Sequence, residues 1–168
     1  MNTPTPYTLP PGELFNRSIG FVQQAYYFFA SCLPQDDDEF PKKVNGVHFD
    51  SAEHVKVYEN ELSYASLLRL FGALEELCNR LGIKDKDVPR IVASSSDTTL
   101  KHEYSHIRNL RHVIAHGNGD GNVIRIKYVE FAKDRNGDLQ ILLRDVEGFV
   151  SIISAVAKEL ISHANEAT

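Results

Sequence analysis

The chain has 168 residues, 18 Lys+Arg against 23 Asp+Glu, seven His and two Cys, and a formal net charge of −5. One core in one domain suits that length, and 42% hydrophobic with 24% charged residues excludes wholesale disorder. No apolar run approaches the roughly 20 residues of a membrane span, Cys32 and Cys78 make no disulfide framework, and the acidic total argues against a broadly basic nucleic-acid-binding surface.

The N-terminal stretch MNTPTPYTLPPGE lacks the basic and apolar regions of a secretory signal, so the expected location is a reducing cytoplasm, with no membrane partner. Pro4, Pro6, Pro10 and Pro11 suggest a flexible arm over residues 1–12, ahead of one domain over 13–165. From about Glu13, the residues Phe15, Ile19, Val22, Tyr26, Phe29 and Leu33 recur every three or four positions, which predicts a helix that Pro34 stops. Residues 35–49 are acidic and broken by Pro41 and Gly46, and read as a loop.

Asp50, with Glu53 three residues on, can cap a second helix. Its apolar positions run from Val55 through Leu67, Phe71 and Leu74 to Leu81, and Gly82 ends it, so it could reach about 30 residues. Residues 83–97 read as a connection with one short turn at most. A third helix is predicted over 98–116. Residues 123–131 and 139–143 are strand-like runs joined around Asn136-Gly137, a hairpin signal. A last helix covers about 145–163, with Val146, Phe149, Val150, Ile153, Val156 and Leu160 on one face. The expected fold is mainly α, a four-helix bundle with a β-hairpin inserted before the last helix.

The chemistry lies in TTLKHEYSHIRNLRHVIAHG, residues 98–117, which holds four of the seven histidines. His102-Glu103-Tyr104-Ser105-His106 matches HExxH, which on a helix sets two imidazoles one turn apart for zinc, with the glutamate as general base. His112 then stands at the spacing of a third, metzincin-like ligand, with Asn109 where that pattern has glycine. Against a zinc hydrolase stand the lack of any methionine beyond Met1 and of any upstream sheet; a solvated helical face is the simpler account.

The second pattern is Arg111-His112-Val113-Ile114-Ala115-His116-Gly117. Arginine, four residues, then histidine is weak by itself, but its place on the helix is informative. At about 100° per residue, Leu100, Tyr104, Ile107, Leu110 and Ile114 share an arc of about 120°, and Arg111 projects inside it. A permanent charge in an apolar stripe is costly to bury. It either snorkels, pairs with a carboxylate of another helix, or faces a cleft ready for an anion such as phosphate.

The string LRHVIAHG near the end of a bundle helix resembles the signature of HEPN domains: arginine, a polar residue, a few more residues, then histidine. Arg111, His112 and His116 match those positions, and the helical architecture fits over most of 13–165. The resemblance implies a homodimer whose two motifs meet across the interface, RNA as the partner, and no metal or cofactor. Many members are endoribonucleases, acting as toxins or in antiviral defence; others are catalytically inactive dimerisation or RNA-binding modules. His116 would then be the acid/base, Arg111 the phosphate ligand and His112 an orienting group. Toxins paired with a nucleotidyltransferase antitoxin often carry a tyrosine two residues after the histidine; Asn118 stands there, so an antitoxin protein would act by binding alone.

The charge is unevenly spread. Residues 34–61 hold eight acids against Lys42, Lys43 and Lys56, which is the whole −5, while 98–116 carries Lys101, Arg108 and Arg111 against Glu103, a local +2. RNA contact is therefore expected to be small, local and salt-sensitive.

Overall fold

A computed structural model describes residues 9–34, 38–116, 132–133 and 139–166. Residues 1–8 of the expected arm lie outside them; Leu9 is buried, and Pro11 opens the first helix two residues before the apolar pattern does. All four expected helices form: α1 (Pro11–Cys32), α2 (Ala52–Leu81), α4 (Thr98–His116) and α5 (Asp145–Glu166).

A fifth corrects the expected count. After a 3-10 turn at Asp85–Asp87, α3 (Val88–Ser94) occupies what reads in sequence as a connection. Val88, Ile91 and Val92 are buried in the core, and Pro89 sits in the first turn, where its missing N–H is harmless. The segment is short, so its one apolar turn carries little periodicity to read.

The loop expected at 35–49 is also corrected. Two short strands, β1 (Lys42–Val44) and β2 (Val47–Phe49), pair antiparallel with Val44 opposite Val47. Asn45 and Gly46 turn between them at φ 49° and 89°, the left-handed pair that a two-residue hairpin needs. Phe49 is 2% exposed, lying edge-on to His54 and Tyr58. Before the last helix, β3 (Ala132–Lys133) pairs with β4 (Leu139–Gln140), so a hairpin stands there, but its second strand ends at Gln140 and not at Leu143 as expected. Its expected first strand, 123–131, and its Asn136-Gly137 turn lie outside the described residues.

Local chemistry sets the helix ends. Ser51, one residue later than expected, caps α2 by accepting from the His54 N–H at 3.3 Å. Asp50 instead contacts His48 at 3.0 Å. Gly82 closes α2 at φ 69°, a conformation glycine adopts without strain. The carboxylate of Asp97 caps α4, accepting from the N–H groups of Thr99 and Leu100 at 2.9 and 3.1 Å.

α5 is the axis of the bundle: α1, α2, α3 and α4 all pack against it. Every residue of its expected apolar face is buried, and buried residues of all five helices join in one cluster. The chain reaches α5 through two tethers. The Ile141 N–H donates to the Asn60 side chain of α2 at 2.8 Å, and the Leu142 N–H to Asp145 at 2.8 Å. Among the described residues no helix is long and apolar enough to cross a membrane.

Leu110 and Ile107 of α4 are fully enclosed. Leu110→Ala is expected to lower the unfolding free energy in urea titration by about 2–5 kcal/mol. Lys101→Ala, on the exposed face, should change it by less than about 0.5 kcal/mol.

Candidate functional site

α4 is held in place by its apolar face: Leu100, Tyr104, Ile107 and Leu110 are all buried. Arg111 follows within the same arc and would be driven into the core if its side chain were short. Instead its long stem carries the guanidinium out to the seam between α4 and α2. There Arg111 Nη2 donates to Oε1 of Glu75 at 2.7 Å, and Arg111 Cζ lies 5.8 Å from the centroid of the Phe71 ring. Phe71 is itself buried and stacked on Tyr104, with ring centroids 6.4 Å apart. The arginine thus pairs with a carboxylate of another helix and also borders a cleft.

The strength of that pairing is modest. Arg111 and Glu75 are 39% and 48% exposed, so water screens them, and such pairs contribute about 0–1 kcal/mol. A cation over a ring adds about 0.5–1 kcal/mol at such a site. These contacts do little for the stability of the fold and much for the direction in which the guanidinium points.

The cleft has a volume of about 200 Å³ and is lined, among the described residues, by Phe71, Glu75, Asp85, Arg108, Asn109, Arg111 and His112. α4 supplies the donors, one turn of helix presenting Arg108, Asn109, Arg111 and His112 together. The opposite wall supplies the carboxylates. Arg108 lies 3.9 Å from Asp85, an ion pair at the limit of contact, whereas Arg111 is firmly engaged. Counted as charges, two arginines face two acids, so the cleft carries neither a strong positive nor a strong negative field from these four groups.

Arg111 and His112 therefore meet in one cleft. His116 lies in the final turn of α4, and its side chain is outside the described residues. The helix is continuous to that point, so positions 111 and 116 are separated by about 140° around its axis.

The HExxH residues are placed elsewhere. His102, Glu103 and His106 line a separate cavity of about 310 Å³ with Thr98 and Thr99, sharing no residue with the α2–α4 cleft. A third histidine does not join them. α4 runs unbroken through Asn109, which leaves His112 about 120° around the axis from His106. Among the described residues, no group of three or more His, Cys, Asp or Glu is placed to hold a metal ion. The metzincin-like ligand set needs a chain reversal at position 109, where this chain keeps its helix.

Sequence reasoning missed Glu75, Asp85 and the role of Phe71. Phe71 reads as one more apolar position of the second helix, and nothing in the sequence singles out Glu75. The available signal was indirect: Glu75 sits one turn beyond Phe71, on the margin of the apolar stripe, where it can reach a charge on a neighbouring helix. Cys78 offers no alternative chemistry. Its burial, together with Asp85 and Glu75 nearby, pushes its thiol up to about 11, so the thiolate is scarce at neutral pH. The Tyr104 phenol is likewise raised by burial.

Compared with known proteins, the chain matches no family model, no curated protein and no solved structure.

Iodoacetamide on the native protein at pH 8 should label Cys32, which is only partly buried and accepts from Asn45 Nδ2 at 3.0 Å. Cys78 should react only after unfolding. Peptide mass spectrometry reads both, and rapid labelling of Cys78 in the folded protein would contradict its burial.

Proposed function

We propose that the chain is a metal-independent endoribonuclease of HEPN type, working as a homodimer, with Arg111, His112 and His116 as its site residues. The observation that carries this reading is the α2–α4 cleft, whose α4 wall is lined by donors. An arginine and a histidine of the motif open into it side by side, and two further donors, Arg108 and Asn109, border them.

The chemistry follows from those groups. A base removes the proton of an RNA 2′-hydroxyl, the oxygen attacks the adjacent phosphorus, and an acid protonates the departing 5′-oxygen. The products are a 2′,3′-cyclic phosphate and a 5′-hydroxyl. Imidazole exchanges protons near neutral pH, which suits His116 to the acid/base steps. Arg111 binds the phosphate and offsets the negative charge that grows on its equatorial oxygens. His112, beside Arg111, orients the substrate. Since positions 111 and 116 are separated by about 140° around one helix, a two-fold axis that sets His116 of one protomer against Arg111 of the other would complete the site. DNA lacks the nucleophile and should not be cleaved. The same resemblance points to a toxin or antiviral-defence effector, restrained by an antitoxin protein that binds it.

One observation favours a second reading, a non-catalytic RNA-binding or dimerisation module: Arg111 is already engaged by Glu75, as a bracing residue would be.

Incubation with single-stranded RNA in EDTA separates these. Cleavage with 2′,3′-cyclic ends is expected, falling at least a hundredfold in both Arg111→Ala and His116→Ala. Mixing the two variants should restore part of the activity, because a heterodimer rebuilds one complete site. RNA left intact by the wild-type dimer would support the module instead. With Arg108 and Arg111 as the phosphate contacts, log K against log salt should fall with a slope of about −1.4 for single-stranded RNA; a much steeper slope would mean a larger basic surface.

A further inference from the structure

We propose that α2 is a working part of this site: Glu75, with the Phe71 ring beneath, is the positioning element that holds the Arg111 guanidinium edge-on to the cleft for one phosphodiester anion. The inference rests on the reading above and names a residue outside the motif.

Three observations support it. The first is that Glu75 is met through a single nitrogen, Nη2, and not by a bidentate pair. A guanidinium carries five N–H donors in a rigid plane, and among the described residues the other nitrogens of Arg111 have no partner. The second is that the Phe71 ring lies against that plane at 5.8 Å and is itself pinned by Tyr104, so rotation about the Nη2 contact is restrained. The third is the place of the cleft, whose remaining lining includes Asn109 and His112 of α4. A phosphate entering there adds to the Glu75 contact and need not displace it.

Charge decides between positioning and competition. A carboxylate fully occupying the arginine would act as an internal phosphate mimic, and its removal would tighten anion binding. Here the pair is about half exposed and singly bonded, and Arg108 and His112 flank it. Water and those neighbours screen the repulsion between Glu75 and an incoming phosphate, while the directional constraint on Arg111 persists. Orientation is worth most where charge develops during the reaction, so the loss should fall on turnover more than on binding.

The test compares Glu75→Ala, Glu75→Gln and, as a control, Glu76→Ala, whose carboxylate pairs with Arg80 at 2.8 Å instead. Glutamine keeps the Oε1 acceptor without the charge. For RNA cleavage, Glu75→Ala should lower kcat about tenfold with KM changed less than threefold, and Glu75→Gln should recover most of kcat. Binding of a fluorescein-labelled, non-cleavable 2′-O-methyl oligoribonucleotide should stay within about threefold in Glu75→Ala and drop at least tenfold in Arg111→Ala. The side chain of Arg111 is read directly by 15N relaxation of its Nε–H: ordered in the wild type and Glu76→Ala, mobile in Glu75→Ala, ordered again in Glu75→Gln. Tighter binding or faster cleavage in Glu75→Ala, or an Arg111 Nε–H that stays ordered in it, overturns the inference. If the wild type binds the probe but cleaves no RNA, the ribonuclease reading fails alone, and the Nε–H pattern still decides whether Glu75 positions Arg111.

Discussion

The bundle depends on the burial of α5. Between residues 148 and 157 that helix carries no charge, and its apolar side chains face every other helix of the chain. A helix apolar on so much of its surface is stable only when surrounded. α1, α2, α3 and α4 cover it between them, and this enclosure fixes where the outer face of α4 can point. With Leu100, Ile107 and Leu110 committed to the core, rotation of α4 about its axis would expose leucine or bury a histidine. The helix is locked, and the positions of Arg108, Arg111 and His112 are locked with it.

That locking creates a conflict at Arg111, which is resolved at the boundary of the core. The stem of the side chain lies over the apolar seam while the charged end reaches Glu75 and the edge of the cleft. The result is a cation fixed by contacts that are individually weak and geometrically restrictive, close to water but limited in direction. For chemistry that must offset a charge appearing only at the moment of reaction, a prealigned donor of this kind is more useful than a tightly sequestered one.

How much of this was legible in the sequence varied with length scale. The long helices were, because periodicity over twenty or thirty residues is hard to produce by chance: α2 ends at Gly82 and α4 spans 98–116 as expected. α3 and the β1–β2 hairpin were not. Each is stabilised by what it packs on, Val88 and Val92 in the core and Phe49 against His54 and Tyr58. The Asn45-Gly46 turn was readable in principle, but the acidic run and Pro41 around it dominate the local composition. For the site, Arg111 stood out as a charge on an apolar face. Its partner did not, since no pattern within α2 marks Glu75 as different from Glu76; only the crossing of α2 and α4 does so. The same limit applied to His112, which sequence spacing offered to two sites and an unbroken helix assigned to one cleft.

The length of α2 has a consequence for cooperativity. At 30 residues the helix is about 45 Å long, yet its buried residues begin only at Ser63. The first ten residues stand beyond the main core, and their supports include Ser51, the ring cluster of Phe49, His54 and Tyr58, and the hydrogen bond that the Asn60 side chain accepts from the Ile141 N–H. The helix therefore has two stabilities along one axis. Amides near Leu67, Leu70 and Leu74 should exchange with solvent only on global unfolding, whereas those of residues 55–60 should open with the β1–β2 hairpin as a separate, lower-energy unit. Glu75 and Phe71 belong to the slow half, so the element that holds Arg111 stays closed while the far end of the same helix breathes.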